Sequence, residues 1–245
     1  MTSAGTAGDP AADQLETLRG LLSAATARLL GGTIAVGDDD WRGPSRLPDW
    51  SRGHVATHVA RQADALGRLL SGAASGTPGK MYASNEDRDA EIEAGAGRSG
   101  LDLQIDLDTA AEQLWERMEE VDAAGKWAES VELRGGTKVP ARLLPLARLT
   151  EVVLHHVDLD VGYELDQVDE TVAAWILEWC SLRLRTRDGV PSLSLIVDGG
   201  ATVAVGSDGE PREVRGTAAA LLGWLTGRSG ADQVTGAEGL TLPAF

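Results

Sequence analysis

The chain has 245 residues, 42% of them hydrophobic and 24% charged, and a formal net charge of −16 at pH 7. This length gives room for one large domain or two modest ones, and the composition is that of a globular protein. The strong negative charge argues against binding to nucleic acid or to an anionic membrane surface, because both need clustered lysine and arginine.

Targeting and membrane signals are not apparent in the sequence. The N-terminal residues are small and polar, without the basic and apolar regions of a secretory signal, and no apolar run reaches the length of a membrane span. The single cysteine, Cys180, lies in the apolar run AAWILEWCSL and is predicted to be a buried small side chain. We therefore expect a cytoplasmic protein, and any sulfur chemistry has to use a thiol from another molecule.

Four main helices are predicted in the first two thirds of the chain. Apolar residues at helical spacing indicate a first helix over 10–30, and Ser51 is a suitable N-cap for a second that runs to about residue 71. A third helix is predicted over 106–124, and a fourth, apolar on most of its faces, over 140–163. Four helices with moderate connections indicate an up-and-down bundle.

The segments between these helices are mostly polar. Gly31-Gly32 is predicted to end the first helix, and DDDWRGPSRLPDW to follow it as a loop. A short helix is expected within NEDRDAEIEAG, and GGTKVP is predicted to be a loop before the fourth helix.

The character of the sequence changes near Asp166. The predicted elements beyond it are a helix over 169–187, two alternating strands (SLSLIV and ATVAV) joined by a turn at Asp198-Gly199-Gly200, a third strand near 213–215 and a helix over 217–227. The predicted fold class is therefore α+β, with a helical bundle over 1–165 and a small α/β domain over 166–245.

All four histidines fall into two clusters, His54 with His58 and His155 with His156. On the helix after Ser51, His58 lies at the edge of the apolar stripe, whereas His54 is predicted to lie further round toward solvent. A lone histidine in this position is most often bonded to a neighbouring polar group of the core.

Glu151 and His155 stand four residues apart on the apolar fourth helix, so their side chains share one face, whereas His156 points about 100° away. A buried glutamate needs a partner, and a Glu–His ion pair would supply one. Together with an inward His58, however, the pair forms a set of two imidazoles and one carboxylate that suits zinc with an open position. Both interpretations stay open, and Asp158 is either a carboxylate that orients His155 or an exposed helix acid.

Four segments resemble the mycothiol-dependent maleylpyruvate isomerases of the DinB-like metalloprotein superfamily. DWSRGHVATHVARQADAL is similar to the family's tryptophan-started helix and places its histidine at His58, and LTEVVLHHVDLDVGY matches the E-x-x-x-H ligands at Glu151 and His155. MYASNEDRDAEIEAG resembles a stretch after the second helix of the isomerases. LLGWLTGRSGADQV resembles the C-terminal helix with its functionally important arginine, here Arg228.

The resemblance implies a DinB-like four-helix bundle that binds Zn²⁺, or another divalent metal, through His58, Glu151 and His155. The small C-terminal α/β domain would contribute to the active-site cleft. Mycothiol, the low-molecular-weight thiol of actinobacteria, would be the cofactor, and an anionic or electrophilic small molecule the substrate. Arg228 would be catalytic, binding a substrate carboxylate or enolate; apart from the resemblance, it is a cation favoured at a helix C-terminus.

The implied reaction converts maleylpyruvate to fumarylpyruvate by addition of a zinc-activated thiol, rotation about the resulting single bond, and elimination. Two alternatives stay open: a mycothiol S-transferase that conjugates an electrophile, and a non-catalytic DinB-like protein in which the metal is structural. The residues that bind mycothiol are not identified, although Tyr82 and Arg88 are candidates. A monomer or a small homo-oligomer is expected.

Overall fold

The structure is a computed structural model that describes residues 10–185, 187–206 and 209–243. Contacts divide the chain into two compact units, Met1–Gly162 and Tyr163–Phe245. Thr186, which falls within the helix predicted over 169–187, lies outside the described residues. Across the described ranges, no helix is both long and apolar enough to span a bilayer.

From residue 10 onward, the first unit is a four-helix bundle with two shorter helices. In this bundle α3 packs on α5 and α6, α1 packs on the same two helices, and α4 lies against α3. The α-helices are α1 (Pro10–Thr33), α2 (Asp38–Arg42), α3 (Arg52–Ser75), α4 (Asn85–Ala96), α5 (Gly100–Ala124) and α6 (Leu144–Asp158).

Helix α3 illustrates why these segments fold as they do. The Ser51 side chain accepts a hydrogen bond from the backbone N–H of His54, as expected of an N-cap, and Gly76 ends the helix in the left-handed conformation with φ 75°. The apolar stripe Val55, Val59, Leu66 and Leu70 is fully buried in the bundle core. Capping fixes the start of α3, and burial of this stripe fixes its rotation, so the direction of every other side chain on it is also set.

The loop predicted before α3 is partly wrong, because it contains the short helix α2. Trp41 is buried, and Asp38 Oδ1 accepts a hydrogen bond from the backbone N–H of Gly100 at 2.7 Å. These contacts with a distant segment hold the helix, and no local pattern indicates them. Gly31-Gly32 does not end α1 either, since the helix continues to Thr33.

The connection before α6 also differs from the prediction. Residues Ser130–Glu132 (β1) and Lys138–Pro140 (β2) form an antiparallel hairpin, and Gly135 and Gly136 both take positive φ at its turn. Pro140 ends β2 in extended conformation and a single 3₁₀ turn follows, so α6 begins at Leu144 rather than near 140. At its other end α6 stops at Asp158, short of the predicted 163.

The described residues of the second unit form two α-helices and a three-stranded sheet, which confirms the predicted α+β class. The sheet order is β4-β3-β5, with β3 antiparallel to β4 and parallel to β5, and α7 packs on both α8 and β4. Cys180 is fully buried in α7, as predicted. The elements are α7 (Glu170–Leu184), β3 (Leu193–Val197), β4 (Thr202–Val205), β5 (Arg212–Gly216) and α8 (Ala218–Leu225).

We expect Gly53→Ala to destabilise the first unit, because a Cβ at this position would overlap the backbone carbonyl oxygen of Ala96 at the end of α4. Relief of the clash requires α3 and α4 to separate, at a cost of about 1–3 kcal/mol. Gly31→Ala is the control, since a Cβ there would meet no atom within 4 Å and the substitution favours the helix. Urea denaturation measures both effects, and equal stability of the two variants would contradict this packing.

Candidate metal centre

His58 lies on α3 at the boundary of the bundle core, where it is 7% exposed. Its ring meets the edge of Trp50, with ring centroids 5.5 Å apart, and its Nε2 lies 3.1 Å from Glu151 Oε2. The side chain therefore faces the interior of the bundle, as its place beside the apolar stripe predicts. Burial lowers the pKa of His58, although the hydrogen bond with Glu151 opposes this shift.

Glu151 and His155 share one face of α6, and His155 Nε2 lies 3.2 Å from Glu151 Oε2. The rings of His58 and His155 are nearly perpendicular, with centroids 4.7 Å apart. One ligand atom from each of the three residues lies within 4.8 Å of the others. We call these residues the His–Glu–His cluster; α3 and α6 bring its members together although they are far apart in sequence.

The Glu151 carboxylate is the shared partner of both imidazoles. Burial alone would raise the pKa of Glu151, but hydrogen bonds from His155 and His58 outweigh burial and hold its pKa well below the usual range. The carboxylate therefore stays ionised at neutral pH. A carboxylate oxygen and two imidazole nitrogens in this arrangement form a set of donors that a divalent cation can bind.

Asp158 holds the second nitrogen of His155. Its Oδ2 lies 2.8 Å from His155 Nδ1, and the side chain is fully buried. Burial lowers the pKa of His155, but the hydrogen bonds with Asp158 and Glu151 outweigh burial, so its pKa is raised. A cation would displace the proton that Nε2 shares with Glu151, and the proton kept on Nδ1 for Asp158 would hold the ring in the orientation that offers Nε2, as in metal sites whose histidines are oriented by a carboxylate. Of the two alternatives for Asp158, the structure shows the orienting contact.

Arg88 reaches the outer nitrogen of His58. Its Nη2 lies 3.3 Å from His58 Nδ1, and because a guanidinium can only donate, Nδ1 is the acceptor. In this arrangement His58 carries its proton on Nε2 and donates it to Glu151, so a cation at Nε2 would displace that proton. Arg88 was a candidate from sequence for thiol binding, but its contact with the cluster was not foreseen.

The other two histidines lie outside the cluster. His54 accepts from the Ser51 backbone through Nδ1 and bonds Glu93 through Nε2 at 3.1 Å, so it serves the start of α3. His156 packs against α1, where a Cβ at Gly32 would lie 2.7 Å from its Nε2. His156 points away from the cluster, as predicted, whereas the His54 side chain is 20% exposed and stacks on Trp50 rather than facing solvent.

Residues 22–160 match the sequence model of a family described as the mycothiol maleylpyruvate isomerase N-terminal domain. The match spans more than half of the chain and includes the whole His–Glu–His cluster. The chain belongs to this family. Comparison with curated proteins gives no significant match.

Two solved structures resemble this chain over 94% of its length. One is a mycothiol-dependent maleylpyruvate isomerase, 24% identical, with a TM-score of 0.84 over 94% of this chain and 97% of that one. The other is a histidine-to-alanine mutant of such an isomerase, with the same identity and coverage and a TM-score of 0.83. At 24% identity, this similarity establishes the fold of the chain.

Arg148 is a buried, charged residue of this chain that was not among the site residues predicted from sequence. It lies three residues before Glu151 on α6 and is 2% exposed, and its Nη1 donates to Val59 O at 2.6 Å and to Gln62 Oε1 at 2.8 Å. Burial lowers its pKa to about 10, so it stays charged at neutral pH. Arg148 thus ties α6 to the turn of α3 that carries His58. A charged residue within an otherwise apolar helix was the available signal.

Arg228 lies in the turn after α8 in the second unit. Its backbone N–H donates to Gly223 O at 2.8 Å, and its Nη1 donates to Thr226 O at 3.2 Å. The guanidinium contact is that of a cation with a carbonyl group at a helix C-terminus. A role of Arg228 in substrate binding stays a prediction.

We expect Arg148→Ala to lower the free energy of unfolding by about 3 kcal/mol, because it leaves a cavity and removes the polar partner of Val59 and Gln62. Arg142→Ala, on the exposed turn that precedes α6, is the control and should change stability by less than about 0.5 kcal/mol. Chemical denaturation of both variants measures this. Similar stabilities would mean that Arg148 does not hold α6 to α3.

His156 should make stability depend on pH. Burial, helped by the charge of Arg28, lowers its pKa from 6.5 to about 4, so between these values the unfolded chain binds more protons than the folded one. The free energy of unfolding should therefore fall by about 2–3 kcal/mol as the pH is lowered through this window. Urea denaturation of metal-free wild type and His156→Gln measures it; the variant should show a shallower slope, and identical slopes would refute the assignment.

Proposed function

We propose that this protein is a metal- and mycothiol-dependent isomerase that converts maleylpyruvate to fumarylpyruvate. The observation that carries the proposal is the meeting of His58, Glu151 and His155 within 4.8 Å, in a chain whose first unit belongs to the isomerase family. The overall fold, which resembles a solved mycothiol-dependent maleylpyruvate isomerase, supports the same activity.

The three donors fit a catalytic zinc ion. Two imidazole nitrogens and one carboxylate oxygen are a donor set that leaves zinc an open position, and Asp158 keeps Nε2 of His155 available. His58, Glu151 and His155 would hold the metal. When bound, the metal would lower the pKa of a coordinated thiol so that it ionises at neutral pH.

The sulfur has to come from a separate thiol. Cys180, the only cysteine in the sequence, is fully buried in α7 of the second unit. A buried thiol in apolar surroundings is inert. Mycothiol would therefore supply the nucleophile, in agreement with the family to which the chain belongs.

Isomerisation of an alkene requires temporary loss of its double bond, which a nucleophile achieves when it adds and later leaves. The chain's own residues would prepare this chemistry: Glu151 remains ionised, Asp158 orients His155, and Arg88 contributes positive charge beside His58. We keep Arg228 as the proposed group for a substrate carboxylate, on the resemblance of its segment to the family's C-terminal helix.

The test compares His58→Ala with wild type in elemental analysis and in an isomerisation assay with and without mycothiol. Wild type should hold about one zinc per chain and require mycothiol, whereas His58→Ala should lose the metal and at least about 100-fold in activity with an unchanged circular dichroism spectrum. His54→Ala is the matched control on the same helix, and it should keep the metal. Zinc retained by His58→Ala would refute the ligand assignment.

The products of the same assay separate the proposal from its alternatives. A free trans isomer is expected from an isomerase, whereas accumulation of a thioether would identify a mycothiol S-transferase that uses the same cluster. Wild type that holds zinc but acts on neither maleylpyruvate nor an electrophile would point to a structural metal and would refute the proposed activity.

A further inference from the structure

A cavity of about 630 Å³ lies in the first unit, between the chain that follows α3 and the β1–β2 hairpin. Small-molecule sites commonly have volumes of this order. Its apolar lining includes the buried side chains of Leu69, Val131 and Leu133. Its polar lining comes mainly from exposed loop and hairpin residues, so the cavity offers both apolar surface and hydrogen-bonding groups.

The charges around this cavity nearly balance. Lys80, Arg134 and Lys138 line it together with Glu129 and Glu132. An anion site would be expected to have a clear excess of cations, particularly in a chain with net charge −16. A neutral ligand that carries many hydroxyl groups suits this mixture better, because hydroxyls both donate to carboxylates and accept from ammonium and guanidinium groups.

The start of α4 connects the cavity with the His–Glu–His cluster. Tyr82, Ser84 and Asn85, just before and at the first residue of α4, line the cavity. Arg88, about one turn further along α4, places its Nη2 3.3 Å from His58 Nδ1. The cavity therefore lies close to the cluster within one unit.

The Tyr82 hydroxyl is available to a ligand. Among residues 10–185, 187–206 and 209–243, no hydrogen-bond partner of this hydroxyl is found. Burial raises the pKa of Tyr82, so the group is a neutral donor at physiological pH. Arg68 lies over the ring, 5.7 Å from its centroid, and holds the aromatic plane from one side.

We propose that this cavity binds the glucosaminyl-inositol part of mycothiol, and that the N-acetylcysteine part passes Tyr82 to present its sulfur to the His–Glu–His cluster. The assignment rests on the proposed function, because it presumes mycothiol as the thiol. The sugar portion of mycothiol matches the nearly balanced charges of the cavity lining, because its amine is acylated and the whole portion is an uncharged polyol. The apolar lining suits the C–H faces of the rings, and the charged side chains suit their hydroxyls.

The experiment measures binding of mycothiol and of N-acetylcysteine, which lacks the sugars, to the zinc-loaded full chain by titration calorimetry. The main variant is Glu132→Ala/Lys138→Ala, which removes one acid and one base from the hairpin that lines the cavity. Asp39→Ala/Arg42→Ala is the matched control, an exposed acid–base pair that does not line it. Tyr82→Phe, which removes only the hydroxyl, is the second variant.

Wild type should bind mycothiol more tightly than N-acetylcysteine. The hairpin variant should lose about tenfold in affinity for mycothiol and nothing for N-acetylcysteine, as expected when hydrogen bonds to the sugars alone are removed. Tyr82→Phe should lose less affinity for mycothiol, and again none for N-acetylcysteine. If the hairpin variant does not fold, the affinities of Tyr82→Phe alone test the proposed site. The control should match wild type with both thiols.

Two failures are distinguishable. If wild type prefers mycothiol but neither cavity variant weakens that preference, the sugar site lies elsewhere and the inference is overturned while the proposed function stands. If wild type binds the two thiols equally, mycothiol is not the selected thiol, and the inference fails together with that part of the proposed function.

Discussion

The pairing of α3 with α6 is the constraint on which the candidate site depends. His58 and His155 both contact the Glu151 carboxylate and stabilise its ionised form, and they reach it only while the two helices keep their present register. The hydrogen bonds of Arg148 to α3 fix that register one turn away. The same contacts that stabilise a partly buried carboxylate therefore also place the three candidate ligand atoms together.

Much of this arrangement could be predicted from sequence because it follows from helical periodicity. The apolar stripe of α3 sets the direction of His58, and the four-residue spacing on α6 puts Glu151 and His155 on one face. That the two helices would meet was indicated by the near-complete apolar surface of α6 and by the resemblance to a known family. Periodicity and resemblance agreed on the same three residues for independent reasons.

The features that sequence did not indicate are those held by contacts between distant segments. Helix α2 depends on the burial of Trp41 and on the bond from Gly100 to Asp38, and the hairpin before α6 depends on pairing of two three-residue strands. Both are too short to have a periodic pattern. The contact of Arg88 with His58 is of the same kind, because it depends on how α4 packs on α3.

Four polar residues of α6 together indicate a functional site more clearly than any one of them does alone. They recur at intervals of three, four and three residues, which places them along one side of a helix whose other sides are buried and mostly apolar: Arg148, Glu151, His155 and Asp158. Each of the four forms a hydrogen bond either with α3 or with its neighbour on α6. This continuous network is rigid, because a side chain that changed rotamer would leave a buried polar group without its hydrogen-bond partner. His156 is off this line, and its contacts are with α1 instead. A polar line of this kind costs stability relative to apolar packing, which is why we associate it with function rather than with the fold alone.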